Sequence, residues 1–387
     1  MRRPKVWVLY GTRPELIKMA PVAAAFDSRR DEVDVVRVFA GQHRELAEEL
    51  FDPLGMVPDI RLDVMMPNQT LEGVGARLLT EFGILFAGDS SPDFVLVQGD
   101  TATVFFASLA AFFHRIPVGH VEAGLRSFDR YSPFPEEMNR RLTDQVAELF
   151  FSPTAVSVAN LQSEGIAREC IFLTGNTAVD AVRHAAAGAN QLVRPETREW
   201  VDDQSRFVLA TLHRRESFGE DMRRILEGLQ RFLDRNPEAG LILPVHPNPN
   251  VRTMVHDMLG ARPNAFLTNP LPYFDLVYLL ERCTTVLTDS GGIQEEGPAL
   301  GKHVLVARKV TERPEGVEAG VAKLVGSDTE LILASLEQAL AGTESGRFLP
   351  GRDTPYGDGL AGKRIADIVV SRLLKTPRST TDWAPAK

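Results

Sequence analysis

The chain has 387 residues, 44% of them hydrophobic and 25% charged, with a formal net charge of −9. That length exceeds one ordinary core and fits two globular domains, and the acidic balance, without a local Lys/Arg run, argues against a nucleic-acid surface. Cys170 and Cys283 are too few for a disulfide framework or a metal cluster and fit a reducing cytoplasm, as small buried residues.

In chain order, residues 5–10 predict a first strand, too short for a signal-peptide core, followed by a helix over 14–28. A strand over 33–40 and a helix over 43–54 come next, then a strand over 94–98 and a helix over 101–113. That helix holds the longest apolar run, 104–113, which is too short to span a bilayer and reads as buried. The chain is therefore expected to be soluble and cytoplasmic, with no membrane partner. A strand over 117–120 leads into an irregular stretch, 124–136, containing Pro133 and Pro135, and then a helix from Glu136-Glu137. A strand near 149–152 precedes a helix around 154–164.

The joint is expected between Gly175 and Gln204, where an Ala-rich helix gives way to a polar stretch with Pro195. The pattern then restarts with a strand at 207–211, a helix at 221–235 and strands at 241–245 and 266–267. A helix over 273–282, a strand over 285–287 and a helix over 292–300 follow. After the Pro/Gly-rich segment 350–357, a helix over 359–374 would cross back onto the first half, leaving 376–387 as a loose tail. Alternation of this kind gives parallel sheets covered on both faces, in two doubly wound halves with ligands at the carboxyl ends of the strands.

Several strand ends carry chemistry. Gly11-Thr12-Arg13-Pro14-Glu15 opens a helix with Lys18 one turn in. Cations at a helix start oppose the dipole and make sense if an anion sits there; the alternative is a surface pairing of Arg13 with Glu15. Gln98-Gly99-Asp100-Thr101 ends another strand, where Asp100 alone reads as an N-cap. His120 to Arg126, HVEAGLR, ends the next, and Arg140 lies four residues after Glu136, on its face. Asp100, Glu122 and Glu136 are each more often structural alone, but together they resemble an acid–base set.

In the second half, the stretch VLTDSGGIQEE turns through Ser290-Gly291-Gly292 into a helix. Paired glycines let backbone N–H groups approach an anion, and Glu296, one turn in, suits a ribose; an ordinary strand–turn–helix joint is the alternative. His213 is flanked by Arg214 and Arg215, which disfavour its protonation unless a polyanion shares the site. Arg313, in TERPE, would clamp a diphosphate bidentately. There is no P-loop, HExxH or CxxC, and no GxGxxG follows the first strand to seat a nicotinamide cofactor.

The motifs GTRPELIK, GQHRE, QGDT, HVEAGLR, PFPEEMNRR, LTGN, HRRE, PVHPNPNV, TDSGGIQEE and TERPE, in that order, resemble the non-hydrolysing UDP-N-acetylglucosamine 2-epimerase family. The resemblance runs from Gly11 to beyond Arg313. It implies an α/β protein of two doubly wound Rossmann-like domains facing a cleft (GT-B-like), usually a homodimer, interconverting UDP-GlcNAc and UDP-ManNAc with no cofactor. The domains would be 1–176, carrying the acid–base residues with 359–387 packed back on it, and 177–358, binding UDP. Carried over by position, Arg13, Lys18, Asp100, Glu122, Glu136, Arg140 and His213 fall on substrate and catalytic positions. Ser290, Gly291, Gly292, Glu296 and Arg313 fall on UDP-binding positions.

There are departures. Ser217 stands where relatives often have Asn, and Leu276 where some have Phe near uracil. Of an activator site for a second UDP-GlcNAc, Gln42, Glu136, Arg214 and His246 are present, but Glu45 replaces a glutamine and Asn68 an arginine. The rival readings are a GT-B glycosyltransferase, a non-catalytic UDP-sugar sensor and a hydrolysing epimerase.

Overall fold

The computed structural model describes residues 2–42, 47–66, 69–204, 206–214, 218–342 and 354–384. It divides into two compact units, Met1–Ala181 with Gly357–Lys387, and Val182–Tyr356.

The first unit is built on strands β1 (Lys5–Tyr10), β2 (Asp34–Phe39), β3 (Ile60–Arg61), β4 (Phe94–Gln98), β5 (Val118–Val121), β6 (Leu149–Ser152) and β7 (Ile171–Leu173). They form a seven-stranded sheet in the order β3-β2-β1-β4-β5-β6-β7, every pairing parallel. β1 reads as a continuous apolar run because helices cover both of its faces, and Val6 to Tyr10 are all buried. On one face Trp7, Leu9, Val95 and Val97 pack against Leu78, Phe82 and Phe86 of the helix Leu71–Ala87 and Val104, Ala107 and Ala111 of the helix Ala102–Phe113. Thr12, Thr70, Thr101 and Thr154 each cap the helix that follows, their hydroxyls accepting a backbone N–H.

The second unit repeats the scheme with β8 (Phe207–Thr211), β9 (Gly240–Pro244), β10 (Ala265–Thr268), β11 (Thr285–Thr288), β12 (Val304–Val306) and β13 (Ala322–Leu324). Their order is β10-β9-β8-β11-β12-β13, again parallel. Its core joins Val208, Leu241, Leu243, Leu287 and Leu305 to Ile225, Leu229 and Phe232 of the strongly amphipathic helix Glu220–Arg235.

Several expectations need correction. The helix expected over 43–54 falls partly outside the described residues, and 49–55 form turns. Pro53 has no N–H to extend a helix, and Met56 N instead donates to Phe51 O at 2.7 Å. The apolar run 104–113 is helical but not buried throughout, since Phe112 and Phe113, its last two residues, are 56% and 63% exposed. Cys170 is half-buried rather than buried, while burial pushes the Cys283 thiol up to about 12. The polar stretch with Pro195 is a helix, Pro195–Asp202, with the proline in its first turn. Unforeseen elements include β3, β7, β12 and β13 and the helices Leu71–Ala87, Pro249–Leu259 and Thr329–Leu340.

The helix Ala361–Leu374 belongs to the first unit, where Arg29 Nη1 donates to Asp367 at 2.9 Å and Gly362 N to Asp180 at 2.9 Å. The tail is not loose over 376–384. Asp367 accepts from Ser379 N at 2.8 Å and from Thr380 N at 2.7 Å, and the backbone N–H of Trp383, a residue 3% exposed, donates to Leu173 O on the edge strand β7 at 2.7 Å. No helix among the described residues is long and apolar enough to cross a membrane.

Candidate active site

In each sheet the chain order reverses beside one strand pair, β1/β4 in the first unit and β8/β11 in the second, and the crevice at such a point favours ligands. The singled-out residues lie at the carboxyl ends of these strands and their neighbours.

After β1 the turn is so tight that a Cβ on Gly11 would stand 2.3 Å from Thr103 Oγ1. Glu15 turns inward beneath it, accepting from Gly11 N at 2.6 Å and Thr12 Oγ1 at 3.1 Å. This is a form of the reciprocal Thr-x-x-Glu cap, and burial pushes the Glu15 carboxyl up to about 7. The alternative reading, a surface pairing of Arg13 with Glu15, is therefore not formed. Arg13, half-buried, makes no hydrogen bond or ion pair among the described residues.

Glu122 follows β5 with a left-handed backbone, φ 67°, which turns its buried side chain toward β4 and the first helix. Its carboxylate accepts from Lys18 Nζ at 2.7 and 2.9 Å and from Gln98 Nε2 at 2.5 Å. Lys18 thus spends its charge on Glu122. Asp100 follows β4 and accepts from Arg140 Nη2 at 2.5 Å, while Asn139 Nδ2 donates to the Asp100 carbonyl at 3.0 Å. Those two contacts dock the helix Glu136–Val146 onto the β4 loop.

The expected sharing of a face by Glu136 and Arg140 is not realised as a contact. Arg140 pairs with Asp100 and, at 3.6 Å, with Glu137, which is fully buried and also accepts from Ser127 N at 3.0 Å. Glu136 itself is half-buried and makes no hydrogen bond or ion pair among the described residues. Beneath these residues, His120 bridges Asp144 (2.6 Å) and the Gly99 carbonyl (2.8 Å), and Arg126 Nη2 donates to Asp144 at 2.6 Å and Glu164 at 2.7 Å. Charges this deeply placed are tolerated only because each has a partner.

In the second unit, Thr211 and Thr288 hydroxyls meet at 2.6 Å and tie the ends of β8 and β11 together. Ser290, Gly291 and Gly292 open the helix Gly291–Ala299 half-exposed; the Ser290 N–H donates to Thr288 Oγ1 at 2.9 Å and its side chain does not cap the helix, which leaves the first helical N–H groups without a side-chain acceptor. A Cβ on Gly291 would stand 2.8 Å from Arg313 Nη1. Arg313 Nε donates to Glu295 at 2.6 Å and Nη1 to Glu312 at 3.2 Å, so this guanidinium is held in place against the glycine turn. Glu296 is half-buried near Tyr273, whose hydroxyl pKa rises well above its ordinary value through burial and then through the Glu296 charge. His213, its side chain 52% exposed, stands against the fully buried carboxylate of Asp289.

Of the activator residues, Gln42 accepts from Thr103 Oγ1 at 3.0 Å and His246 Nδ1 accepts from Asn248 N at 3.1 Å. Leu276 is half-buried on the helix Tyr273–Arg282. Glu45, Asn68 and Ser217 lie outside the described residues. Sequence reasoning missed Glu15, Gln98, Glu137, Asn139 and Asp289; only Glu15 carried a readable signal, its Thr-x-x-Glu spacing.

A family model described as UDP-N-acetylglucosamine 2-epimerase matches residues 27–370. The chain is 42% identical over 370 residues to UDP-N-acetylglucosamine 2-epimerase of Bacillus subtilis, covering 95% of each. It is 43% identical over 372 residues to that of Escherichia coli K12, covering 94% of this chain and 98% of the relative. Among solved structures it resembles UDP-GlcNAc 2-epimerase from Neisseria meningitidis bound to UDP-GlcNAc, with TM-score 0.83 and 39% identity over 96% of this chain and 100% of that one. The two parallel-sheet units are of the GT-B-like class.

Proposed function

This chain belongs to the UDP-N-acetylglucosamine 2-epimerase family, and from that premise we propose that it interconverts UDP-GlcNAc and UDP-ManNAc by eliminating and re-adding UDP. The C2–H of the sugar is not adjacent to a carbonyl, so a side-chain base cannot remove it unaided. Departure of UDP from C1 develops an oxocarbenium ion that acidifies C2–H, and loss of that proton gives a glucal plus UDP. Re-addition with the proton delivered to the opposite face inverts C2. Two acid–base groups are therefore needed.

The observation that carries this reading is the pair of carboxylates at neighbouring strand ends, each seated by a cation: Asp100 on Arg140 and Glu122 on Lys18. Glu136 completes the proposed set. We assign UDP to the second unit. The Ser290 hydroxyl, the amides of Gly291 and Gly292 and the guanidinium of Arg313 would take the diphosphate, Glu296 the ribose, and His213 the charge that develops on the leaving group. Arg13 and Lys18, at the first helix of the first unit, are proposed as further substrate-binding cations. The proposal includes a cytoplasmic homodimer, in keeping with two free thiols and with the family resemblance.

Product analysis tests it. Purified protein given UDP-GlcNAc alone should yield UDP-ManNAc. Free ManNAc as the only product would indicate a hydrolysing enzyme, and dependence on an added acceptor would indicate a transferase.

A further inference from the structure

We propose that Asp289 is a positioning residue that fixes the His213 ring with Nδ1 held inward and Nε2 turned outward, and that it acts on the reaction through that ring. The inference rests on the reading of His213 as part of the reaction site. β8 and β11 are paired in register, Thr288 opposite Thr211, so the loops leaving their carboxyl ends start side by side. His213 lies on one and Asp289 on the other.

The Asp289 side chain is fully buried, where a carboxylate is costly unless its oxygens are satisfied. It accepts from His213 N at 3.1 and 3.0 Å and from Arg214 N at 2.9 Å, and Oδ1 lies 3.1 Å from His213 Nδ1. A neutral amide would accept the two backbone N–H groups as well. What the carboxylate adds is a negative charge 3.1 Å from Nδ1, which favours a proton on that nitrogen over Nε2. Nε2 is then the nitrogen on the exposed edge, two residues beyond β8, beside the strand whose next turn is Ser290-Gly291-Gly292. An anion held at those glycines would meet Nε2. Without the carboxylate the ring is free to invert its tautomer or turn away, and the site keeps its histidine but loses its direction.

The test combines ¹⁵N-histidine NMR with kinetics. Wild-type enzyme, at a pH where the ring is neutral, should show His213 as the Nδ1–H tautomer, its signal assigned by its loss in His213→Gln. Asp289→Asn should lose that preference and lower kcat by at least about tenfold, with an unchanged melting temperature. The double variant should turn over no more slowly than His213→Gln alone, because Asp289 acts through the ring. An Nε2–H tautomer in the wild type overturns the proposal even if Asp289→Asn does not fold. A further tenfold loss on adding Asp289→Asn to His213→Gln also overturns it. Wild-type turnover in His213→Gln would overturn both this proposal and the reading of His213 on which it rests.

Discussion

Asp100, Glu122 and Glu136 differ in surroundings although each is a carboxylate of the first unit, the first two at strand ends and the third at the start of the helix Glu136–Val146. Asp100 and Glu122 are locked to cations, and Glu136 has no partner among the described residues. Replacing any of the three by its amide should lower turnover by at least ~10²-fold while leaving UDP affinity within a few fold, since a positioned acid or base contributes on that scale. Steady-state kinetics beside calorimetric titration with UDP measures both, and near-wild-type turnover in all three variants would remove them from the mechanism. Glu15 makes a different prediction. Its carboxyl is raised from 4.5 to about 7 by burial, so the native state keeps a proton that the unfolded chain sheds. That contribution to stability is fully present below pH 4.5 and is lost as pH rises through about 7, a change on the order of 3 kcal/mol. The melting-temperature advantage of wild type over Glu15→Gln should shrink across that range; a constant gap would contradict it. Residue identities at the strand ends were legible because Gly, Asp and Glu there have few bland uses in combination. Partners were not: which of Glu136 and Glu137 faces Arg140 depends on how the helix docks on β4, and sequence spacing does not hold that information.

Among the elements, the longest and most periodic were legible, such as the helix Glu220–Arg235 with its single apolar face. Short edge strands were not. β3 has two residues and β13 has three, too few to show alternation, and each is a strand only because a neighbour pairs with it. The tail fails for the same reason. It is polar and Pro-containing, and its order comes from Asp367 and from the edge of β7. Hydrogen bonds from Thr380, Ser379 and Arg29 outweigh the desolvation of Asp367 and hold its carboxyl down to about 2. Trp383 closes that arrangement from a nearly fully buried position. Trp383→Ala should therefore destabilise the protein by about 3–5 kcal/mol, as large-to-small core changes do. Urea titration checks it, and a loss below about 1 kcal/mol would mean that the tail is dispensable.

At the scale of the whole molecule, alternating strands and helices announced two parallel-sheet units, because parallel strands need crossovers that cover both faces. The strand orders themselves were not legible, since nothing in a strand names its neighbour. The proposed division of labour gives a paired prediction. Glu296→Ala and Arg313→Ala, in the second unit, should weaken UDP about ten- to hundredfold, the worth of a charged hydrogen bond at roughly 1.5–3 kcal/mol. Unchanged calorimetric affinity in both would move the nucleotide elsewhere. Everything proposed for the first unit depends on proton exchange at one carbon. The most direct measurement is proton NMR of the enzyme with UDP-GlcNAc alone in D₂O: UDP-ManNAc should accumulate with deuterium at C2, and UDP-ManNAc that keeps its original C2 proton would contradict the account.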